Sequence, residues 1–113
     1  MPAFMVLRFR PMSDWHSAGK LEEMKDRRSK LVEVAGKEIA LYSIQGKFHA
    51  TANFCPHRGG PLFQGNIEPG PAVRCPLHGW LFDMESGECL NIPNAKVSVF
   101  PVEIRGEEIF IQI

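Results

Sequence analysis

Apolar positions in this chain come in short runs with a period of two, broken by Gly- or Pro-bearing pairs. Phe4–Phe9 is a compact apolar run ending before Pro11, and it reads as an edge strand. Three further runs, 31–35 (LVEVA), 38–44 (EIALYSI) and 47–52 (KFHATA), are separated by Gly36-Lys37 and Gln45-Gly46. Glycine in a two-residue connection between such runs is a hairpin signal, so the pattern predicts a meander. Near the end the same pattern returns: 96–104 (KVSVFPVEI), a turn at Arg105-Gly106-Glu107, then 108–113 (EIFIQI). Alternation there nominates Val97, Val99, Ile109, Ile111 and Ile113 for buried faces.

Two stretches depart from this pattern. In residues 12–30, Leu21, Met24 and Arg28 fall at helical spacing, and Glu23 stands four residues before Arg27. A short surface helix near 18–27 competes with an exposed charged loop, and Gly19 with the DRRSK run favours the loop. The middle, 53–95, is rich in Gly and Pro and reads as mostly irregular, yet it holds Phe54, Leu62, Phe63, Trp80, Leu81 and Phe82. Long loops with that much apolar content need something to order them.

Composition narrows the picture. At 113 residues the chain is expected to form one domain, 1–113, and 44% hydrophobic with 23% charged residues is ordinary for a globular protein. Thirteen basic and thirteen acidic side chains leave no net field to attract nucleic acid or an anionic membrane. The first fifty residues are mildly basic and the remainder mildly acidic, a weak dipole only. No apolar run approaches the ~18–20 residues of a membrane span. The start shows no basic region followed by an apolar one, so a cytoplasmic location is expected. Three cysteines, an odd number, in a reducing compartment point to metal ligation before disulfides.

Two of the four histidines lie within three residues of a cysteine. Cys55-Pro56-His57 and Cys75-Pro76-Leu77-His78 give C-x-H and C-x-x-H, with seventeen residues between His57 and Cys75. Two sulfurs and two nitrogens suit a tetrahedral zinc ion or a 2Fe-2S cluster in which two His replace two Cys on one iron. Zinc fingers usually pair Cys with Cys and His with His, whereas here the order alternates. Alternation lets each of two similar loops give its Cys to one iron and its His to the other. Flanking glycines (Gly59, Gly60, Gly79) would let backbone N–H groups approach the cluster sulfurs.

CPHRGG-PL followed by CPLHGWLFD-ESGECLNIP resembles the Rieske ferredoxin family over about residues 31–113, with residues 12–30 longer than the family's usual connection. The resemblance implies an all-β fold of stacked antiparallel sheets with an inserted cluster-binding subdomain at about 53–90. It implies that Cys55 and Cys75 hold one iron, and that His57 and His78 hold the other with their far ring nitrogens facing solvent. Pro93 resembles the proline of a loop that covers such clusters, although a plain turn fits it nearly as well. Cytochrome bc relatives carry an extra disulfide and hydroxyl donors. Here those places read Gly60 and Leu77, then Trp80 and Phe82, which implies the disulfide-free, low-potential kind.

Bland readings fit the remaining candidates. Cys89 is expected to be a small buried hydrophobe, His16 and His49 surface residues, Arg58 a solvated side chain, and Trp80 and Phe82 packing of the subdomain. With no nucleotide or flavin fingerprint, the chain is expected to be an electron carrier and not an enzyme in itself. Its implied partners are a flavin-dependent reductase upstream and a terminal oxygenase downstream. Two alternatives stand beside this: the small subunit of an NAD(P)H nitrite reductase, docked on a large subunit, and a zinc-stabilised binding module without redox function.

Overall fold

Two tight turns build the centre of the molecule. In both Ala35-Gly36 (φ 52° and 79°) and Gln45-Gly46 (φ 52° and 83°) each central residue has positive φ, the requirement of the hairpin turn whose twist matches its strands. They join β2 (Ser29–Val34), β3 (Lys37–Ile44) and β4 (Lys47–Ala52), with Val34 opposite Lys37 and Ile44 opposite Lys47. The first turn thus lies one residue earlier than expected, because Lys37 already belongs to a strand. The computed structural model describes residues 14–56, 59–77 and 79–113. The expected strand Phe4–Phe9 lies outside the described residues.

The other strands are β1 (Trp15–Lys20), β5 (Asn66–Glu68), β6 (Ala72–Arg74), β7 (Leu81–Asp83), β8 (Val99–Phe100), β9 (Val102–Arg105) and β10 (Glu108–Gln112). Among the described residues they form three antiparallel sheets, ordered β1-β10-β9, β2-β3-β4-β8 and β5-β6-β7. The all-β expectation is met, and among the described residues no helix is long and apolar enough to cross a membrane.

Three local expectations are corrected. The described part of the stretch 12–30, residues 14–30, is no solvated excursion: β1 pairs with β10, a single 3₁₀ turn spans Leu21–Met24, and Ser29 opens β2. The strand escaped notice because WHSAGK has few apolar residues and a register irregularity between Ser17 and Gly19 breaks its alternation. The run 96–104 is two strands in two sheets, with β8 on β4 and β9 on β10. Pro101 sits at the switch, where the missing N–H ends one ladder. The middle is also less irregular than expected, since β5, β6 and β7 make a sheet of it. At the end of the chain, Val97, Ile109 and Ile111 are buried as expected, whereas Val99 and Ile113 are half-buried.

Strand β3 is the wall between two cores. Ile39 and Leu41 face a core with Val32, Val34, Ala50, Ile109 and Ile111. Ala40 and Tyr42 face the other, with Leu62, Val73, Phe82 and both Cys55 and Cys75. Successive side chains of a strand point to opposite faces, so a strand buried on both reads as the continuous run IALY. Tyr42 is fully buried; Thr51 Oγ1 donates to the Ala52 carbonyl (2.9 Å) and so accepts from the Tyr42 hydroxyl at 3.1 Å. Burial pushes the Tyr42 phenol well above its usual range, so it stays a donor.

Leu41→Ala is expected to cost about 2–5 kcal/mol, because a fully buried side chain leaves a cavity between two sheets. Leu31, at 37% exposure on the same hairpin, should cost well under half of that when cut to Ala. Urea denaturation of both variants checks this: the midpoint should fall steeply for Leu41→Ala at unchanged slope.

Candidate metal centre

Each Cys-Pro motif sits at the tip of a hairpin, and the two tips are closed by the same pair of backbone hydrogen bonds. In the first, Gly59 N–H donates to the Cys55 carbonyl at 2.7 Å and Cys55 N–H donates to Gly60 O at 2.9 Å. In the second, Gly79 N–H donates to the Cys75 carbonyl at 3.1 Å and Cys75 N–H donates to Trp80 O at 2.8 Å. The bonds span the same number of residues in both, although one motif is C-x-H and the other C-x-x-H. Gly59 (φ 72°) and Gly79 (φ 76°) close the turns in the left-handed region, where side-chain-bearing residues are strained. His57, Arg58 and His78 lie outside the described residues.

Different anchors hold the two tips. The first hairpin rests on Asn53, which is 1% exposed. Its carbonyl accepts from Leu62 N–H (2.6 Å), its Oδ1 from Phe63 N–H (3.0 Å), and its own N–H donates to Glu38 O on β3 (3.2 Å). Ser29 Oγ then donates to the Phe63 carbonyl at 2.7 Å, tying the loop's far side to β2. The second tip crowns β6 and β7, and a Phe54–Pro61 bridge narrows the base of the first.

The two tips meet at Gly60. A Cβ built there would stand 2.6 Å from Cys75 Sγ and 3.1 Å from Leu77 Cγ, so the glycine is required by space and not by its φ. Gly60 and Leu77 are therefore neighbours. These are the two places where the cytochrome bc pattern carries its disulfide, and here a contact replaces the cross-link. Cys55 (2% exposed) and Cys75 (4%) lie in the core shared with Leu62 and Phe82. Thiolates in so apolar a setting carry a large desolvation cost that a metal cation offsets. The donor chemistry and the glycine-lined approach thus fit a thiolate-bound metal group.

The remaining candidates take structural places. Phe82 is fully buried and Trp80 half-buried, their rings 6.5 Å apart and tilted at 41°. Cys89 is half-buried, and its thiol donates to Asn91 Oδ1 at 3.2 Å. His16 lies in β1 opposite Ile111, and His49 lies in β4 opposite Tyr42. Both are half-buried and not the surface residues expected, and burial lowers the His49 pKa. Pro93 is exposed. Its loop joins the second tip through Asn91, whose Nδ2 donates to Gly79 O (3.0 Å) while Oδ1 accepts from Leu81 N–H (3.0 Å).

Sequence reasoning missed Asn53, Glu68, Arg74 and Asn91. Glu68 and Arg74 pair across the β5–β6 hairpin, and the Arg74 guanidinium beside Glu68 holds its carboxyl below the usual range. Only a register shows such a pair; spacing along the chain does not.

A family model described as the Rieske [2Fe-2S] domain matches residues 14–101. The match starts at Asp14, so it includes the segment first read as an excursion. The chain is similar to the ferredoxin component of the naphthalene 1,2-dioxygenase system of Pseudomonas aeruginosa, 35% identical over 100 residues that cover 88% of this chain and 95% of the relative. In structure it is similar to the ferredoxin of carbazole 1,9a-dioxygenase from Nocardioides aromaticivorans IC177, with TM-score 0.78 and 24% identity over 85% of this chain and 94% of that one. It is also similar to a chain in the complex of reduced oxygenase and oxidized ferredoxin in carbazole 1,9a-dioxygenase, with TM-score 0.77 and 25% identity over 88% of this chain and 93% of that one.

Gly60→Ala should lower bound iron and labile sulfide severely, since the added methyl occupies space already held by Cys75 Sγ. Cys89→Ala should keep both near the wild-type level. Iron and sulfide analysis of the purified variants decides it: equal loss in the two would mean that Gly60 is not the point of contact.

Proposed function

Because this chain belongs to the Rieske [2Fe-2S] domain family, we propose that Cys55 and Cys75 bind one iron of its cluster and His57 and His78 the other. The observation that carries the assignment is the matched closure of the two Cys-Pro tips, with Gly60 of one against the sulfur of the other. Two loops with one backbone pattern, meeting at two buried thiols, are what a group clamped from both sides needs. The whole chain is taken as one domain, with residues 53–90 as its cluster-binding part.

When bound, the 2Fe-2S cluster accepts and releases one electron. The protein is a one-electron carrier, the ferredoxin component of a multicomponent oxidoreductase system, as its relatives are in dioxygenase systems. The chain's residues bind the cluster, shield it and set its potential. Leu62, Val73 and Phe82 keep water from the thiolate side. At the tips Phe54 and Leu77 are about half exposed, at 51% and 54%, and Pro56 and Pro76 are exposed. An apolar collar of this kind suits transient docking of a redox partner.

The partners proposed are a flavin-dependent reductase and a terminal oxygenase. An oxygenase–ferredoxin complex exists for carbazole 1,9a-dioxygenase, whose ferredoxin this chain is similar to. The naming of relatives as dioxygenase ferredoxin components favours this over a nitrite reductase subunit or a zinc-binding module. An odd number of cysteines, three, suits the cytoplasm proposed as its location.

Trp80 and Phe82 offer no hydroxyl donor to the cluster site, so mainly backbone N–H groups remain to favour the electron-rich state. The midpoint potential is expected toward the negative end of the Rieske range of roughly −150 to +300 mV. Voltammetry giving a value above about +150 mV, deep in that range, would contradict this.

Cys75→Ser should yield an iron-poor protein, because its loop loses a ligand and the order that metal binding supplies. Visible and EPR spectra before and after dithionite test the assignment as a whole. A Rieske-type signal in the wild type, absent in Cys75→Ser, is expected; a colourless wild-type protein with one zinc would replace the carrier by a binding module.

A further inference from the structure

The carbonyl of Gly79, one residue beyond ligand His78, is gripped from two sides. Arg74 Nη1 donates to it at 2.9 Å and Asn91 Nδ2 at 3.0 Å. Arg74 is itself fixed: Nε donates to Glu68 Oε2 at 2.5 Å and Nη2 to Glu68 Oε1 at 3.1 Å, a bidentate fork. The end of β5, the end of β6 and the loop after Cys89 thus converge on the backbone just beyond the ligands of the second tip. Through its bond to Gly79 O the Arg74 guanidinium lies against the tip that would carry the cluster.

A fixed positive charge in that place has an electrostatic consequence. It favours whichever redox state carries more negative charge, and so raises the potential unless another charge cancels it. Glu68 cancels it. The side chains of Arg74 and Glu68 are 38% and 32% exposed, so solvent screens them only in part and the pair adds little to stability as such. Its bidentate geometry fixes the direction of Nη1, which a lysine could not reproduce.

We propose that Glu68 and Arg74 are positioning residues for the second ligand loop: Arg74 fixes the Gly79 carbonyl, and Glu68 both aims the guanidinium and cancels its charge at the cluster site. The proposal rests on the ligand assignment above. It makes the two halves of one ion pair act on the potential with opposite sign, which a purely structural pair does not do.

The test uses the full chain with its cluster: Glu68→Gln, Arg74→Gln and the double variant, measured by voltammetry and visible spectroscopy. Glu68→Gln leaves the guanidinium uncompensated, so the potential should rise. Arg74→Gln leaves the carboxylate uncompensated, so it should fall. The double variant should return close to the wild-type potential, yet release iron to a chelator several-fold faster because the Gly79 carbonyl keeps only the Asn91 donor of its two. Arg74→Lys, which keeps the charge and loses the fork, should stay nearer the wild-type potential than Arg74→Gln does while also releasing iron faster. Shifts of one sign in Glu68→Gln and Arg74→Gln, or none in either, would overturn the proposal while a normal wild-type spectrum leaves the ligand assignment standing. Should Arg74→Gln fail to retain a cluster, Arg74→Lys and Glu68→Gln carry the test: equal potentials in the wild type and Glu68→Gln would overturn it. A wild-type protein without a Rieske-type spectrum would overturn both.

Discussion

Two hairpin tips have to meet with no Cβ between them, and the architecture follows from that requirement. Gly60 lies so close to Cys75 Sγ and Leu77 that any side chain would displace one of them. Such an approach is useful only if both tips are rigid, because a mobile loop would average it away. Rigidity comes from backbone bonds within each tip and from a separate anchor below each. Asn53 serves the first, through three hydrogen bonds from a buried position. The β6–β7 ladder serves the second, with Arg74 and Asn91 on the Gly79 carbonyl.

Beneath the tips, β3 lets a small chain carry two cores. One of its faces packs Ile39 and Leu41 toward the sheet of β1, β10 and β9; the other packs Ala40 and Tyr42 toward the sheet that bears the second tip. Cys55 and Cys75, the proposed ligands, belong to the second of these cores. With those two thiols as ligands, cluster binding is coupled to folding on that side, whereas the first core contains none of the proposed ligands. Electron transfer gains from this division, since a stiff site changes little between redox states and needs little reorganisation.

Much of this was legible in the chain. Alternation and paired turn residues marked β2, β3, β4 and β10, and the two Cys-Pro pairs with their glycines marked the two tips. What stayed hidden depended on partners distant in sequence. WHSAGK becomes a strand only because β10 offers it an edge, and the run KVSVFPVEI is one pattern serving two sheets, because Pro101 cannot continue a ladder. The same holds for Asn53, Glu68, Arg74 and Asn91. Each is an ordinary polar residue whose role is set by a register or a loop closure, and no spacing rule encodes that.

The claim on which the account turns is that one group is held by two sulfurs and two imidazole nitrogens from these tips. Pulsed EPR of the dithionite-reduced protein, grown with ¹⁵N-labelled histidine in an otherwise unlabelled background, addresses it most directly. Hyperfine coupling from two labelled nitrogens is the predicted result, falling to one when either His57 or His78 is replaced by Cys. A reduced spectrum with no directly bound histidine nitrogen, or coupling that survives both replacements unchanged, would contradict it.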